Sequence, residues 1–306
     1  MTAGGSGSRG AGAVAASAPR AARALPVSRR TALTLALASV AGLAVFAWPL
    51  LITPAIGGSA EAPFIFLAAL PILVVIVLAE VSSGSIDAKA IAMLGVLSAV
   101  NAALRPLGAG TAGVETVFFL LILAGRVFGP GFGFVLGSTS LFASALLTAG
   151  VGPWLPFQML AASWIGLGAG LLPGRARGKT EIAMLAGYGV VAAYAFGFLM
   201  NLSFWPFSIG GATQLSYQPG APVLDNLHRF LVFTVFTSSA GWATGRAITN
   251  VVAIVLVGPA VLVALRRAAR RAAFDAPVTF GPRPAERPEE RVAGRTAASP
   301  DASVGS

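Results

Sequence analysis

Long apolar runs, separated by short connections that hold most of the charge, constrain this sequence more than any motif does. Charged residues make up only 10% of the chain, whereas an average soluble domain contains about 25%. A water-soluble fold would have too little polar surface, so the solvent of this chain must be a lipid bilayer. A helix of roughly 20 apolar residues crosses a bilayer. We identify eight such runs, at about 31–52, 63–82, 88–105, 114–127, 131–150, 155–173, 180–201 and 245–266.

The expected fold is therefore all-α, a polytopic membrane helical bundle. Residues 1–28 and 272–306 lack an apolar period, and we predict that both are disordered tails. Between them we expect an N-terminal transmembrane hairpin over 29–86 and a membrane core over 87–271. A further apolar stretch, 226–242, precedes the last run. We interpret it as a half-helix or a lid, with a ninth span as the alternative.

Basic residues determine the predicted orientation, because cytoplasmic connections of membrane proteins are rich in Lys and Arg. With eight spans, every basic cluster falls on the same side as the N-terminus, whereas a ninth would place the last arginines outside. We therefore expect an inner (plasma) membrane protein with both termini in the cytoplasm. The net charge of +10 reflects this orientation and contact with anionic lipid rather than nucleic acid. The basic clusters are Arg29 and Arg30, Lys89, Arg126, the loop 174–179, and Arg266, Arg267, Arg270 and Arg271.

Several kinds of chemistry are excluded by composition. The chain has no Cys and one His, so thiol catalysis and a multi-histidine metal site are ruled out. It contains no nucleotide-binding loop, and no span carries a pair of acidic residues for shared proton chemistry. We therefore expect no enzyme activity, no metal and no cofactor.

Small residues form a stripe along the third apolar run. Ala88, Ala92, Gly95 and Ala99 recur at spacings of three and four residues, which places them on one helix face. Helices in lipid associate through such close backbone approach. The stripe either packs inside the bundle or docks a separate membrane subunit.

Glycine and proline mark the boundaries of the runs between 128 and 172. The segment Gly150–Pro156, Gly-Val-Gly-Pro-Trp-Leu-Pro, cannot continue a helix, because proline lacks the N–H donor. We predict a tight external turn there, with Trp154 at headgroup depth as a membrane anchor or a substrate contact. Gln158 lies one turn inside the next helix, where its amide needs a partner in the bundle or a ligand.

These motifs resemble the substrate-binding S component of an energy-coupling-factor (ECF) vitamin transporter. The resemblance rests on Gly-Pro-x-x-Gly-Phe-x-x-Gly at 129–137, on residues 150–159, and on Arg-Ala-Ile-Thr-Asn at 246–250. It covers about 88–267 and implies a six-helix core, to which the N-terminal hairpin is an addition. It also implies that the stripe docks on a transmembrane T component, that two cytoplasmic ATPase subunits supply energy, and that the subunit topples in the membrane to release substrate. The implied docking residues are Ala88, Ala92, Gly95 and Ala99.

The external connections then become candidates for the pocket. The connection from Asn201 to His228 mixes aromatic rings with amides, which suits a planar vitamin, although an aromatic belt is the alternative interpretation. Arg246 lies 20 residues before Arg266, about 30 Å along a helix. We therefore expect Arg246 at the outer mouth, paired with an acidic residue (Glu115 or Asp225) or bound to an anionic ligand group. The candidate substrate-binding residues are Trp154, Gln158, Asn201, Trp205, Tyr217, Arg246 and Asn250.

The functional hypothesis from sequence is a membrane subunit that captures a water-soluble vitamin at the outer face. A cobalamin-like ligand is one candidate, supported by the length of the 201–228 connection. The alternative is a structural membrane protein of similar build that scaffolds other membrane proteins. It would need the small-residue stripe but no ligand pocket.

Overall fold

The computed structural model describes residues 29–51, 88–108, 114–208 and 213–272, and within these ranges it is almost entirely helical, without a strand. The expected all-α membrane bundle is confirmed. The predicted tails and the second span of the N-terminal hairpin lie outside the described residues. The helices are α1 (Arg29–Phe46), α2 (Trp48–Leu51), α3 (Ala88–Leu104), α4 (Val117–Phe128), α5 (Pro130–Leu147), α6 (Leu155–Leu171), α7 (Gly178–Ser208), α8 (Val223–Thr234), α9 (Thr244–Leu256) and α10 (Gly258–Ala272).

The described helices differ in their ability to cross a membrane. Pro130–Leu147 and Gly178–Phe207 are long and apolar enough to cross alone, and a third crossing is counted if Gly241–Leu256 and Gly258–Ala272 form one bent span. Four apolar helices are shorter. The shortest of them, α4, has 12 residues, or about 18 Å, and is buried along almost its whole length.

Glycines explain how α4, α5 and α6 pack at the centre of the bundle. Gly129 has a φ of 98°, which turns the chain between α4 and α5, and Pro130 opens α5 without losing a helical hydrogen bond. A Cβ added at Gly133 would overlap the backbone of Gly166, and one added at Gly137 would overlap Ala162. The glycine spacing in 129–137 therefore permits backbone contact between α5 and α6.

The structure corrects the interpretation of 226–242 as a lid or half-helix. This stretch belongs to a helical path that runs from α8 through a π-helix, Val235–Ala243, into α9. Residues at both junctions keep helical dihedral angles, so the path continues without a turn. A π-helix widens the backbone spiral without breaking it.

The predicted span 245–266 is not one straight helix, because the chain bends by 66° between α9 and α10. Pro259 removes a backbone donor, and Gly258 before it adds freedom at the break. After the bend, α10 buries Leu262 and Leu265 and exposes Arg267, Arg270 and Arg271. The Lys89 ammonium at the start of α3 donates to the Ala272 carbonyl at 3.1 Å.

The basic end of the bundle is the end that carries Lys89, Arg126 and the arginines of α10. A buried carboxylate there links three helices. Glu181, 2% exposed, accepts from Arg126 at 2.8 Å and from Arg266 at 2.6 Å. Arg126 also donates to the carbonyls of Leu172 at 3.0 Å and Ala176 at 3.3 Å. These contacts hold α4, α7, α10 and the α6–α7 connection together.

The first helix of the N-terminal hairpin packs on the core rather than standing apart from it. Trp164 of α6 donates to the Ser39 hydroxyl at 2.8 Å, and the Phe46 and Phe157 rings meet edge to face at 5.0 Å. Trp48 is buried and donates to the Ser203 carbonyl of α7 at 3.1 Å. The α1–α2 segment therefore packs against α6 and α7.

Candidate functional site

An ion pair lies inside the bundle, away from the basic end. The Arg246 guanidinium on α9 binds the carboxylate of Glu115, which stands two residues before α4. The Arg246 guanidinium also lies 5.6 Å from the Phe118 ring centroid and 4.9 Å from that of Phe196. Arg246 is only 9% exposed. The pairing with Glu115 expected from sequence is therefore present, in a largely apolar environment.

The helix geometry used to place Arg246 from the sequence differs from the observed one. That expectation assumed one straight helix from Arg246 to Arg266. Since the helix bends after Leu256, Arg246 lies only 10 residues from the bend, or about 15 Å. The estimate of about 30 Å for a straight helix therefore does not apply, and the structure shows Arg246 buried in the bundle.

A second arginine extends this polar group towards α6. Arg105 follows α3 directly and donates to the Gln158 side-chain carbonyl at 2.9 Å. Glu115 also acts electrostatically on Arg105. The Arg246–Glu115 pair links α9 to the segment before α4, and the Arg105–Gln158 pair links the end of α3 to α6. We call these four residues the recessed polar network.

Two buried asparagines lie on helices of this network. Asn250, one turn from Arg246 on α9, is fully buried and donates to the Gly189 carbonyl at 3.1 Å. Its Oδ1 has no hydrogen-bond partner among the described residues. Asn101, one turn from Arg105 on α3, is fully buried, and neither its Oδ1 nor its Nδ2 has a partner within the described ranges. Such groups are rare in protein interiors, where most buried polar atoms are bonded.

The aromatic residues expected to cover a ligand pack on each other. Trp205 is fully buried and donates to the Leu215 carbonyl at 2.7 Å. Its ring meets Tyr217 at 5.4 Å and Phe230 at 5.6 Å between centroids. Burial raises the pKa of the Tyr217 phenol, which therefore stays neutral. The Trp205 ring thus packs between α7 and α8, and neither of its faces is exposed to a flat ligand.

Trp154 and Asn201 occupy positions at the same end of the bundle. The expected tight turn is present, and Trp154 at its end is 44% exposed, with its indole N–H 3.3 Å from the Gly150 carbonyl. Asn201 does not end its helix as predicted, because α7 continues to Ser208. Its amide lies 3.5 Å from the Thr234 hydroxyl. Of the candidate substrate-binding residues, the recessed polar network brings together Gln158 and Arg246, with Asn250 beside it.

The small-residue stripe faces outward. Ala88, Ala92, Gly95 and Ala99 are all exposed. A Cβ added at Gly95 would meet no atom of the described residues within 4 Å. The opposite face of α3 packs inward, where Ser98 and Thr139 of α5 share a hydrogen bond of 2.7 Å. The stripe is therefore free of packing against the described helices.

A family model for the substrate-specific component of ECF transporters matches residues 89–257. The match spans more than half of the chain and includes the stripe helix, the glycine-rich packing of α5 and α6, and the recessed polar network. The chain belongs to this family. No curated protein and no solved structure matches it.

As an ECF S component, the chain is an integral membrane subunit of a transporter and works with a T component and ATPases. The family is one of transporter subunits and not of enzymes. Gln158, Arg246 and Asn250 were candidates from the sequence, whereas Asn101 and Arg105 were not among them. The signal for both was their spacing, since polar residues four apart in an apolar helix lie on one face.

Proposed function

We propose that this S component captures a water-soluble vitamin at the outer face of the cell membrane and delivers it for ATP-driven import. The observation that carries the proposal is the recessed polar network. It places two guanidinium groups, a carboxylate and an amide inside an apolar bundle. Ionisable groups at membrane depth are costly, and their usual role is to bind or conduct a polar solute.

The orientation follows from charge. The basic end carries exposed Arg175 and Arg177 in the α6–α7 connection, Lys179 at the start of α7, and the arginines of α10, which favours the cytoplasm. The recessed polar network and the 148–154 turn then open to the outside. This is the direction from which an importer must receive its substrate.

The length of the external connections favours a compact vitamin over a cobalamin-like ligand. Because α7 extends to Ser208 and α8 begins at Val223, the connection between them is shorter than the 201–228 segment on which the larger ligand was considered. The aromatic residues of that segment are also engaged with each other.

For the coupling step, we propose that the exposed stripe of α3 contacts the T component. Small residues let two helix backbones approach closely, which is the main source of helix association in lipid. The substrate and the T component would then use different faces of the same helix, with Asn101 inward and the stripe outward.

The direct test is identification of small molecules that remain bound to the purified chain. We expect mass spectrometry of the denatured protein to release one vitamin in near-stoichiometric amount, which re-binds to the emptied protein. A chain that retains and re-binds no vitamin would favour the scaffold function instead.

A further inference from the structure

The recessed polar network does not balance its charge. Among the described residues it holds two guanidinium groups, Arg105 and Arg246, and one carboxylate, Glu115. The carboxylate is bonded to Arg246, and the partner of Arg105 is the neutral amide of Gln158. The network therefore has an excess of one positive charge.

Arg105 is the origin of this excess. In the part of the chain that the structure describes, it has one hydrogen bond and no carboxylate within ion-pair distance. Arg126 at the basic end offers a comparison, since it donates to Glu181 and to two backbone carbonyls. A guanidinium carries five N–H donors, so most of those of Arg105 are left for another acceptor.

The nearby Glu115 carboxylate is already bonded to Arg246. A half-buried guanidinium without an ion-paired carboxylate of its own is unfavourable in a membrane bundle, and an anion in the site would offset its cost. Guanidinium groups bind carboxylates and phosphates through two parallel hydrogen bonds, which a lysine cannot reproduce. Because Gln158 of α6 accepts a hydrogen bond from Arg105, the planar guanidinium group of Arg105 is already oriented before a ligand binds.

A polar group for the rest of such a ligand lies one turn deeper on α3. Asn101 is four residues from Arg105, or about 6 Å along the helix. Its amide offers both a donor and an acceptor that no described residue uses. A ligand that bonds Arg105 can satisfy this amide with an adjacent hydroxyl, amide or ring nitrogen.

We propose that the substrate is an anion whose carboxylate or phosphate binds Arg105, with Asn101 bonding a neighbouring polar group. This inference rests on the proposed vitamin-binding function and defines its substrate class. Glu115 remains with Arg246, so the ligand anion completes a network of two cations and two anions.

The test uses the purified full-length chain in lipid nanodiscs and pairs of vitamins that differ in charge. The pairs are biotin and biotinamide, pantothenate and pantothenol, nicotinate and nicotinamide, and riboflavin phosphate and riboflavin, with folate, thiamine and cobalamin added singly. We expect an anionic member to raise the unfolding temperature and to bind at least about 10-fold more tightly than its uncharged counterpart.

Variants of Arg105 then test whether this residue binds the anion. R105Q should weaken binding of that anion about 10- to 100-fold, and R105K, which retains the charge without the fork, should lose less. R175Q removes an exposed arginine at the basic end and should bind as the unaltered chain does. Elution as a monodisperse peak confirms that each variant is folded.

The outcomes separate the two proposals. Binding of only uncharged or cationic compounds would overturn the anionic substrate and leave vitamin capture standing. Anion binding that survives in folded R105Q would remove Arg105 from the site. A chain that binds none of these compounds would contradict vitamin capture together with the inference built on it.

Discussion

At the scale of single residues, a buried amide without hydrogen-bond partners lowers the stability of a membrane bundle, and a bound ligand can restore that stability by bonding the amide. Asn101 is fully buried, and both of its amide atoms lack partners among the described residues. Such a group costs about 1–3 kcal/mol in the unliganded state. Ser98, one turn earlier on the same helix, is by contrast bonded to Thr139.

This contrast predicts opposite effects for two substitutions on α3. N101L, close in volume, should raise the unfolding temperature of the ligand-free chain while weakening vitamin binding. S98A should lower the unfolding temperature, because it breaks a satisfied hydrogen bond of about 1 kcal/mol. Thermal unfolding in nanodiscs measures both. If N101L destabilised the chain as S98A does, Asn101 would have a structural role.

At the scale of helix pairs, the contact between α5 and α6 depends on glycine. We predict that G133A destabilises the chain by about 1–3 kcal/mol, because its methyl group would overlap the Gly166 backbone. Gly187 on α7 provides the matched control, since its added Cβ would meet no described atom within 4 Å. G187A should be neutral or slightly stabilising. Equal unfolding temperatures for the two variants would contradict the close approach of α5 and α6.

The stripe on α3 predicts that transport and binding can be separated. A92W or A99W should abolish uptake in cells that contain the T component and ATPases, because a bulky ring prevents close helix approach. Vitamin binding to the isolated variants should be unchanged, since both positions face away from the bundle. A195W on the exposed face of α7 is the control and should retain uptake. Loss of binding in A92W would place the stripe inside the fold.

Elements whose ends are set by nearby proline and glycine residues could be predicted from the sequence. The turn before Leu155 follows from proline and glycine and was predicted, and α5 begins at Pro130, one residue before the predicted run 131–150. Helix boundaries that depend on packing could not be predicted. The helix α7 continues past Asn201, and the stretch 226–242 is continuous with α9 through a π-helix. The bend after Leu256 had a signal in Gly258-Pro259, which was not used. The partners of Arg105 and Trp205 are set by tertiary contacts that no spacing shows.

At the scale of the whole molecule, orientation is the property that fixes the direction of transport. The chain has no Cys, so single introduced cysteines report their side of the membrane cleanly. Q214C, in the connection between α7 and α8, should react with a membrane-impermeant maleimide added to intact cells. G174C, at the basic end, should react only after the membrane is opened. The reverse pattern would invert the proposed topology.

The short α4 also has an electrical consequence. Its 12 residues cover about 18 Å, less than a hydrocarbon layer roughly 30 Å thick. With the basic end at the cytoplasmic surface, as proposed, Glu115 at the other end of α4 would lie inside the layer. In the proposed orientation, an anion that reaches Arg105 has already crossed part of the inside-negative membrane voltage. A full crossing costs about 2.3 kcal/mol per charge at 100 mV, and loading would cost the fraction of it that corresponds to the depth of Arg105. Binding at the network should therefore weaken as the membrane is energised, and ATP hydrolysis by the partner subunits must supply the remainder of the electrical work.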